Sequence, residues 1–311
     1  MKICFVGAGA VGGYYGALLA RAGHDVSFIA RGAHLAAIQQ HGLRVVGSLG
    51  DFTVRTPAAS DPARIGRVDV VVHTVKTYDN ATAIPLITPL LGPDTTVLTL
   101  QNGVDSAEEI AAVIGERNVI AGPTYIATAV ESPGVIRQTG THRRVVLGEY
   151  FNAPAEVSPR VRTLTDAMVA ADIHAEAVAD VRHAIWEKFT YLAPFAAFTG
   201  ASRLPIGPLF ADPICREMFL DAVMEVARVA HAHGARLPED HRQVVLEYLT
   251  KLPPSTRSSL LIDLSQGKRI EVEALQGSVV RRGARAGVPT PIMAALYAVL
   301  RPHAGGTAIA G

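Results

Sequence analysis

Cysteine is almost absent. Cys4 and Cys215 are the only two in 311 residues. One falls in an expected buried strand and the other in an expected helix, so both read as reduced, apolar thiols. A disulfide framework is excluded, no cysteine pair has zinc spacing, and no metal is expected. Such usage fits a reducing cytoplasm. Aromatic residues are also scarce, at 6%, which argues against base stacking as a binding mode. The net charge is only +1, so nothing recommends nucleic acid or an anionic membrane as partner. No run of about 18 consecutive apolar residues occurs, so no membrane span is expected. The amino-terminal MKICFVGAGAVGGYYGALLARAG superficially resembles a secretory signal. Its Gly7, Gly9, Gly12, Gly13 and Gly16 would each weaken a helical signal segment. A strand, a glycine turn and a helix account for it better.

What is present is a large apolar fraction, 49%, in a chain longer than one domain usually carries. The first half alternates: KICFVGA, DVSFIAR, VDVVVHTVK and TTVLTLQN read as strands. VGGYYGALLARAG, GAHLAAIQQHG, YDNATAIPLITPLL and VDSAEEIAAVIG read as helices, the third despite Pro85. LRVVGS and DFTVRT suggest a hairpin insertion. This alternation implies a mostly parallel sheet with helices on both faces. From Asn118 the pattern changes to strands expected to extend the sheet in antiparallel fashion, followed by a helix at SPRVRTLTDAMVAADI. After about residue 178 strand signal disappears. DPICREMFLDAVMEVARVAHAHG carries helix punctuation, with Asp212 as N-cap, Pro213 in the first position and Gly234 past the end. PEDHRQVVLEYLTKL, EVEALQGSVVRRGARAG and PIMAALYAVLR are further amphipathic helices, and HAGGTAIAG reads as a loose tail. The expected organisation is an α/β domain over 1–178 and an all-α domain over 179–311.

The chemistry begins with VGAGAVG, which places Gly7, Gly9 and Gly12 in G-x-G-x-x-G spacing between a strand and a helix. The first glycine permits the tight turn, the second lets a pyrophosphate approach the backbone, and the third lets helix pack on strand. The helix amino terminus adds free N–H groups and a positive dipole. The second strand ends at Ala30 and Arg31, where a carboxylate would mark NAD(H); a guanidinium suits a 2′-phosphate, so NADP(H) is favoured. Lys76 and Asn102 end two further strands, on the side of a parallel sheet where ligands bind.

GAGAVG at 7–12, ARGAHLAAI from Ala30, VKTY at 75–78, LQNGV at 100–104, WEKF at 186–189 and the long segment from Ser258 through VPTP together resemble the ketopantoate reductase (2-dehydropantoate 2-reductase) family. The likeness runs over nearly the whole chain in order. It implies a Rossmann-like, doubly wound amino-terminal domain and a helical carboxy-terminal domain. The implied activity is NADPH-dependent reduction of a 2-oxo acid to a 2-hydroxy acid, with ketopantoate to pantoate, in pantothenate biosynthesis, as the namesake reaction. By position, Gly7, Ala8, Gly9, Ala10, Val11, Gly12 and Arg31 would hold the pyrophosphate and 2′-phosphate. Lys76, Asn102, Ala127 and Glu271 would line the cofactor site. Lys188 matches the catalytic lysine, with Glu271 as the acid beside it, and Asn102 and Ser259 would face substrate. A lysine ammonium can hydrogen-bond the ketone oxygen, stabilise its growing charge and deliver the proton. Burial would lower the lysine pKa and a carboxylate would raise it; the sequence leaves the balance open.

One departure stands out. The family pattern has asparagines four and eight residues after the lysine and another in the following loop, and these positions are Leu192, Ala196 and Ile206 here. The expectation is weak ketopantoate turnover, or a less polar 2-oxo acid or ketone as substrate. Arg203 offers itself as a replacement carboxylate ligand, although a surface arginine is the simpler reading. HAHG at 231–234 does not read as a metal site, since residues two apart do not share a helix face. RRGARAG at 281–287 reads as a solvated basic face, and Glu108 and Glu109 as first-turn helix charges. The rival classes are a non-catalytic NADPH-binding module, which would not need Lys188 and Glu271, and a two-domain dehydrogenase with another catalytic group. The expected partner is a small-molecule 2-oxo acid; a homodimer is left open.

Overall fold

The computed structural model describes residues 1–306. Met1–Gln101 and Ser106–Val181 form one compact unit, and Asn102–Asp105 with the chain from Arg182 onward form another.

The first unit is an eleven-stranded sheet with helices. In chain order it contains β1 (Lys2–Val6), α1 (Ala10–Arg21), β2 (Asp25–Ile29), α2 (Gly32–His41), β3 (Leu43–Gly47), β4 (Phe52–Val54), β5 (Ala58–Ala59), β6 (Val68–His73), α3 (Asn80–Ala83) and β7 (Leu91–Thr99). After them come α4 (Ser106–Ile114), β8 (Val119–Ala121), β9 (Thr124–Ser132), β10 (Val135–Glu149), α5 (Pro159–Ala170) and β11 (His174–Asp180). The main path through the sheet is β4-β3-β10-β8-β7-β6-β1-β2-β5. β1 lies between β2 and β6, parallel to both, in the Rossmann-like manner. Its apolar residues Ile3, Cys4 and Phe5 are buried on both faces, as a central parallel strand requires. α1 packs closely on this sheet: a Cβ on Gly16 would lie 2.5 Å from the Phe28 ring. Tyr15 is fully buried and bonds Thr124 through its hydroxyl. A side chain of that size contributes about 2–3 kcal/mol by burial.

Three expectations for this unit need correction. YDNATAIPLITPLL is not one α-helix: Thr77–Asp79 and Ile84–Leu90 are 3₁₀ turns flanking the single-turn α3. Pro85 and Pro89 remove backbone donors there, so a continuous α-helical ladder cannot form. β10 is antiparallel to β8 and β9, as expected, but parallel to β3 and β11. β11 itself was not anticipated; its residues are mostly half-buried, so its apolar signal is weak.

The second unit contains α6 (Arg182–Ser202), α7 (Ile206–Ala211), α8 (Pro213–Ala232), α9 (His241–Thr250), α10 (Ser259–Ser265), α11 (Ser278–Ala286) and α12 (Pro291–Leu300). Asp212 Oδ1 accepts from Cys215 N at 2.8 Å and caps α8, and Gly234 follows at φ +81°. The start of α12 is capped from α8, where the buried Glu225 carboxylate accepts from Ile292 N and Met293 N at 2.9 and 3.0 Å. The helix expected from Glu271 begins instead as a π-helical turn, Glu273–Gly277, which runs into α11. The tail expected to be loose lies outside the described residues at 307–311. Before that it is ordered: Arg301–His303 forms a 3₁₀ turn, and Ala304 O accepts from Ile270 N. Among the described residues, no helix is long and apolar enough to cross a membrane.

Candidate active site

In the first unit, β1 leads into the glycine loop and α1 opens at Ala10 with Gly9 as its extended N-cap. Gly7 has φ +104°, and a Cβ there would fall 2.8 Å from Val75 N. A Cβ on Gly12 would fall 2.1 Å from Gly7 O and 2.2 Å from Thr74 Oγ1. Internal packing therefore demands glycine at both positions. Gly9 is different, because nothing lies within 4 Å of a Cβ there. Packing does not demand that glycine, although an N-cap favours it, whereas a pyrophosphate approaching the backbone would demand it. The first turn of α1 has no acidic residue to neutralise its positive end. The loop formed by Gly7, Ala8, Gly9, Ala10, Val11 and Gly12 thus fits a dinucleotide.

Two side chains brace this loop. Thr74 Oγ1 donates to Gly7 O at 2.8 Å. His34 Nδ1 accepts from Gly134 N at 3.1 Å, which leaves its proton on Nε2 to donate to Ala8 O at 2.7 Å. Arg31 is the N-cap residue of α2, beyond the end of β2. Its side chain is 78% exposed and pairs with Asp79 at 2.5 Å. Lys76 is half-buried ahead of the Thr77–Asp79 turn. Ala127 lies exposed on β9.

The carboxyl ends of β6 and β7 are tied by a polar chain centred on the buried His73 and Asn80. Gln101 Nε2 donates to Val75 O and Asn80 Oδ1, both at 2.7 Å, and His73 Nε2 donates to Asn80 Oδ1 at 3.1 Å. Asn80 Nδ2 passes to Glu109 at 2.6 Å, so that first-turn charge also anchors the network. Burial pushes the His73 pKa down to about 4, which keeps the ring neutral at pH 7.

In the second unit, α6 presents Lys188, whose Nζ donates to Asn102 Oδ1 at 2.8 Å. The Glu271 side chain is buried, and its negative charge acts on the same ammonium. The balance left open by the sequence is decided here. Burial is the larger effect and lowers the Lys188 pKa to about 8, with Glu271 pulling it upward. The lysine remains mainly an ammonium at pH 7, yet its proton is far more transferable than that of a solvated lysine. Asn102 belongs to a short segment anchored residue by residue. Gly103 takes φ +102° against the Ala274 carbonyl, and Val104 is buried in the apolar cluster with Trp186 and Phe189.

The two halves of the chain match, in order, the family model of ketopantoate reductase PanE/ApbA over residues 3–152 and that of its C-terminal part over 180–304. The chain belongs to the ketopantoate reductase family. A 2-dehydropantoate 2-reductase of Mesorhizobium japonicum is 33% identical over 328 aligned residues, covering 97% of both proteins. One from Nostoc is 30% identical over 303, covering 96% of this chain and 94% of that protein. The crystal structure of a PanE/ApbA family ketopantoate reductase from Ralstonia eutropha superimposes with a TM-score of 0.88 at 34% identity, over 97% of this chain and 98% of that one.

Within this oxidoreductase family, three positions expected to be amides differ in their surroundings. Ala196 is 1% exposed in the main apolar cluster of the helical unit. Ile206 is 2% exposed in a separate cluster with Phe195 and Phe219. Leu192 alone of the three keeps exposed surface. Ser259 stands exposed at the start of α10, while the neighbouring Ser258 is the buried cap, accepting from Leu261 N at 3.0 Å and bonding Thr199 at 2.7 Å. Arg203 is half-exposed and closes α6 at φ +63°, with Nη1 donating to Gly200 O at 3.0 Å. His233 of HAHG stacks on Trp186 with ring centroids 5.6 Å apart. The reading of RRGARAG as a solvated face fails at Arg282, which is 8% exposed and donates to Asp105 Oδ1 at 2.7 Å. Sequence reasoning missed Asp79, Thr74, His34 and the Asp105–Arg282 pair, since each gains its role from a distant partner. A groove of about 580 Å³ elsewhere in the first unit holds Arg44, Asp51, Glu131 and Arg137. Those charges pair with one another, Arg44 with Asp51 and Arg137 with Glu131, so the groove offers little net field.

Proposed function

We propose that the protein reduces a 2-oxo acid to a 2-hydroxy acid with NADPH, the reference reaction being ketopantoate to pantoate in pantothenate biosynthesis. The observation that carries this reading is the Lys188–Asn102 contact at 2.8 Å, made by a lysine whose pKa burial has lowered to about 8. Lys188 would hydrogen-bond the ketone oxygen, stabilise the negative charge that grows there and pass a proton from Nζ to the alkoxide. Asn102 holds the ammonium in place, and Glu271 favours its charged form. Gly7 to Gly12 and the start of α1 would bind the cofactor pyrophosphate, with Arg31 on the 2′-phosphate and Lys76 and Ala127 lining the site. When bound, the reduced nicotinamide supplies the hydride. Ser259 is the candidate substrate-binding hydroxyl. A non-catalytic NADPH-binding module is less favoured, because binding alone would not require a desolvated lysine beside a carboxylate.

Leu192 supports a second reading, in which the substrate carries a less polar chain than ketopantoate. It is the accessible one of the three positions that lack an amide. Steady-state rates with NADPH, NADH and a panel of 2-oxo acids test both readings. Turnover of ketopantoate on the order of 10⁴ M⁻¹s⁻¹ or above removes the second. No turnover of any 2-oxo acid, with NADPH still bound, removes the first.

A further inference from the structure

Four consecutive residues, Asn102 to Asp105, are each fastened to a different part of the helical unit. Asn102 Oδ1 accepts from Lys188, Gly103 packs on the Ala274 carbonyl, and Val104 enters the apolar cluster. The last anchor is Arg282 on α11. Its Nε donates to Asp105 Oδ1 at 2.7 Å and its Nη2 to Val104 O at 3.3 Å, with a sequence separation of 177 residues for the first bond. Arg282 and Asp105 have side-chain exposures of 9% and 23%, so this pair is far less screened than a surface pair. The guanidinium carbon also lies 5.9 Å from the centroid of Trp186, two residues before Lys188 on α6. One cation therefore touches both the segment that carries the lysine's acceptor and the helix that carries the lysine.

We infer that Arg282 is a positioning residue for the reaction: through Asp105 and the Val104 carbonyl it holds Asn102 Oδ1 on the Lys188 ammonium. This rests on the proposed reductase reading. An arginine fits because its planar fork can reach a carboxylate and a carbonyl together; a lysine offers a point charge without that geometry. Glu271 is the charged group whose field acts on Lys188, while Asp105 and Arg282 largely cancel each other. Loosening the segment should thus act on Lys188 chiefly by withdrawing a hydrogen-bond acceptor from its charged form, which lowers its pKa.

The test uses the full-length protein with Asp105→Asn, Arg282→Lys and Asn102→Ala, alone and combined. Asp105→Asn should lower kcat roughly tenfold with little change in KM, and move the basic limb of the pH profile to lower pH. Arg282→Lys should give an intermediate loss. In an Asn102→Ala background, Asp105→Asn should cost less than about twofold, because its route to Lys188 is already cut. Persistence of the full loss in that background overturns the inference, as does an unshifted pH limb. A second readout does not need turnover: the pH dependence of Lys188 acetylation by acetic anhydride, followed by mass spectrometry. Asp105→Asn should shift that curve to lower pH, and an unchanged curve overturns the inference. If the wild-type protein turns over no 2-oxo acid, the reductase reading fails, and the acetylation curve still decides whether Arg282 acts on Lys188. Should Arg282→Lys fail to fold, Asp105→Asn and the Asn102→Ala cycle carry the test.

Discussion

Replacing Lys188 by methionine should make the protein more tolerant of neutral pH while abolishing its chemistry. Burial lowers the lysine pKa from 10.5 to about 8 in the folded state. At about 1.36 kcal/mol per unit, holding the ammonium inside costs the fold about 3 kcal/mol at pH 7. The sign follows from proton binding. Between about pH 8 and 10.5 the unfolded chain keeps this proton more tightly than the folded one, so the wild-type protein gains stability as pH rises. Below pH 8 both states are protonated and the full cost remains. Lys188→Met removes the cost at every pH, although Asn102 Oδ1 then loses a donor, at about 1 kcal/mol. That loss does not vary with pH, so the difference between pH values isolates the lysine. Urea unfolding of both proteins at pH 7 and pH 9.5 should show the wild type gaining about 2 kcal/mol on the variant. A gap that stays constant across that range would refute the argument that desolvation governs this lysine. Turnover should vanish in Lys188→Met with NADPH binding retained, which also separates a reductase from a pure binder.

Three further outcomes follow from the geometry. Gly9→Ala should cost the fold less than about 1 kcal/mol, through its N-cap position, and weaken NADPH binding measured by fluorescence titration, whereas Gly12→Ala should destabilise the fold by about 2 kcal/mol because its Cβ has no space; equal melting shifts would contradict this division. Arg31→Ala should lower the NADPH-to-NADH affinity ratio, and Asp79→Asn should raise it about threefold by releasing the arginine from an exposed pair; unchanged ratios would remove Arg31 from the 2′-phosphate. Leu192→Asn should raise kcat/KM for ketopantoate relative to a 2-oxo acid with an aliphatic chain by roughly tenfold, and a ratio that does not move would clear Leu192 of a role in selectivity.

The parts of the site that were legible in the sequence are those fixed by local geometry. Gly7 and Gly12 are required by a turn and a close approach within a few residues of one strand–turn–helix, so a short motif carries them. Asp212, Pro213 and Gly234 mark α8 for the same reason. Lys188 and Glu271 carry no such mark, and only the family likeness singled them out. Arg282 shows the limit most clearly. Its neighbours look like a basic helix face, and the Asp105 that buries it lies 177 residues earlier. The place of Arg203 at the close of α6, at φ +63° with its bond to Gly200, is likewise invisible in the sequence, because it follows from where that helix ends. The π-helical turn after Glu271 and the proline-broken segment around Pro85 both look like regular helix in the sequence, since periodicity reports which face is apolar and not how the backbone is wound.

The grouping of Asn102–Asp105 with the helical unit bears on how this protein could be cut or recombined. The chain passes between the two units at three places, after Gln101, after Asp105 and after Val181. A fragment beginning at Arg182 would keep the lysine and lose the amide that receives its hydrogen bond. A chimera joined with a relative at Val181 would pair one parent's Asn-Gly-Val-Asp tetrapeptide with the other's α6 and α11. Functional hybrids should therefore be found where that tetrapeptide is inherited together with the helices, and crossovers at Val181 alone should succeed only when both parents place the same acceptor opposite the same lysine.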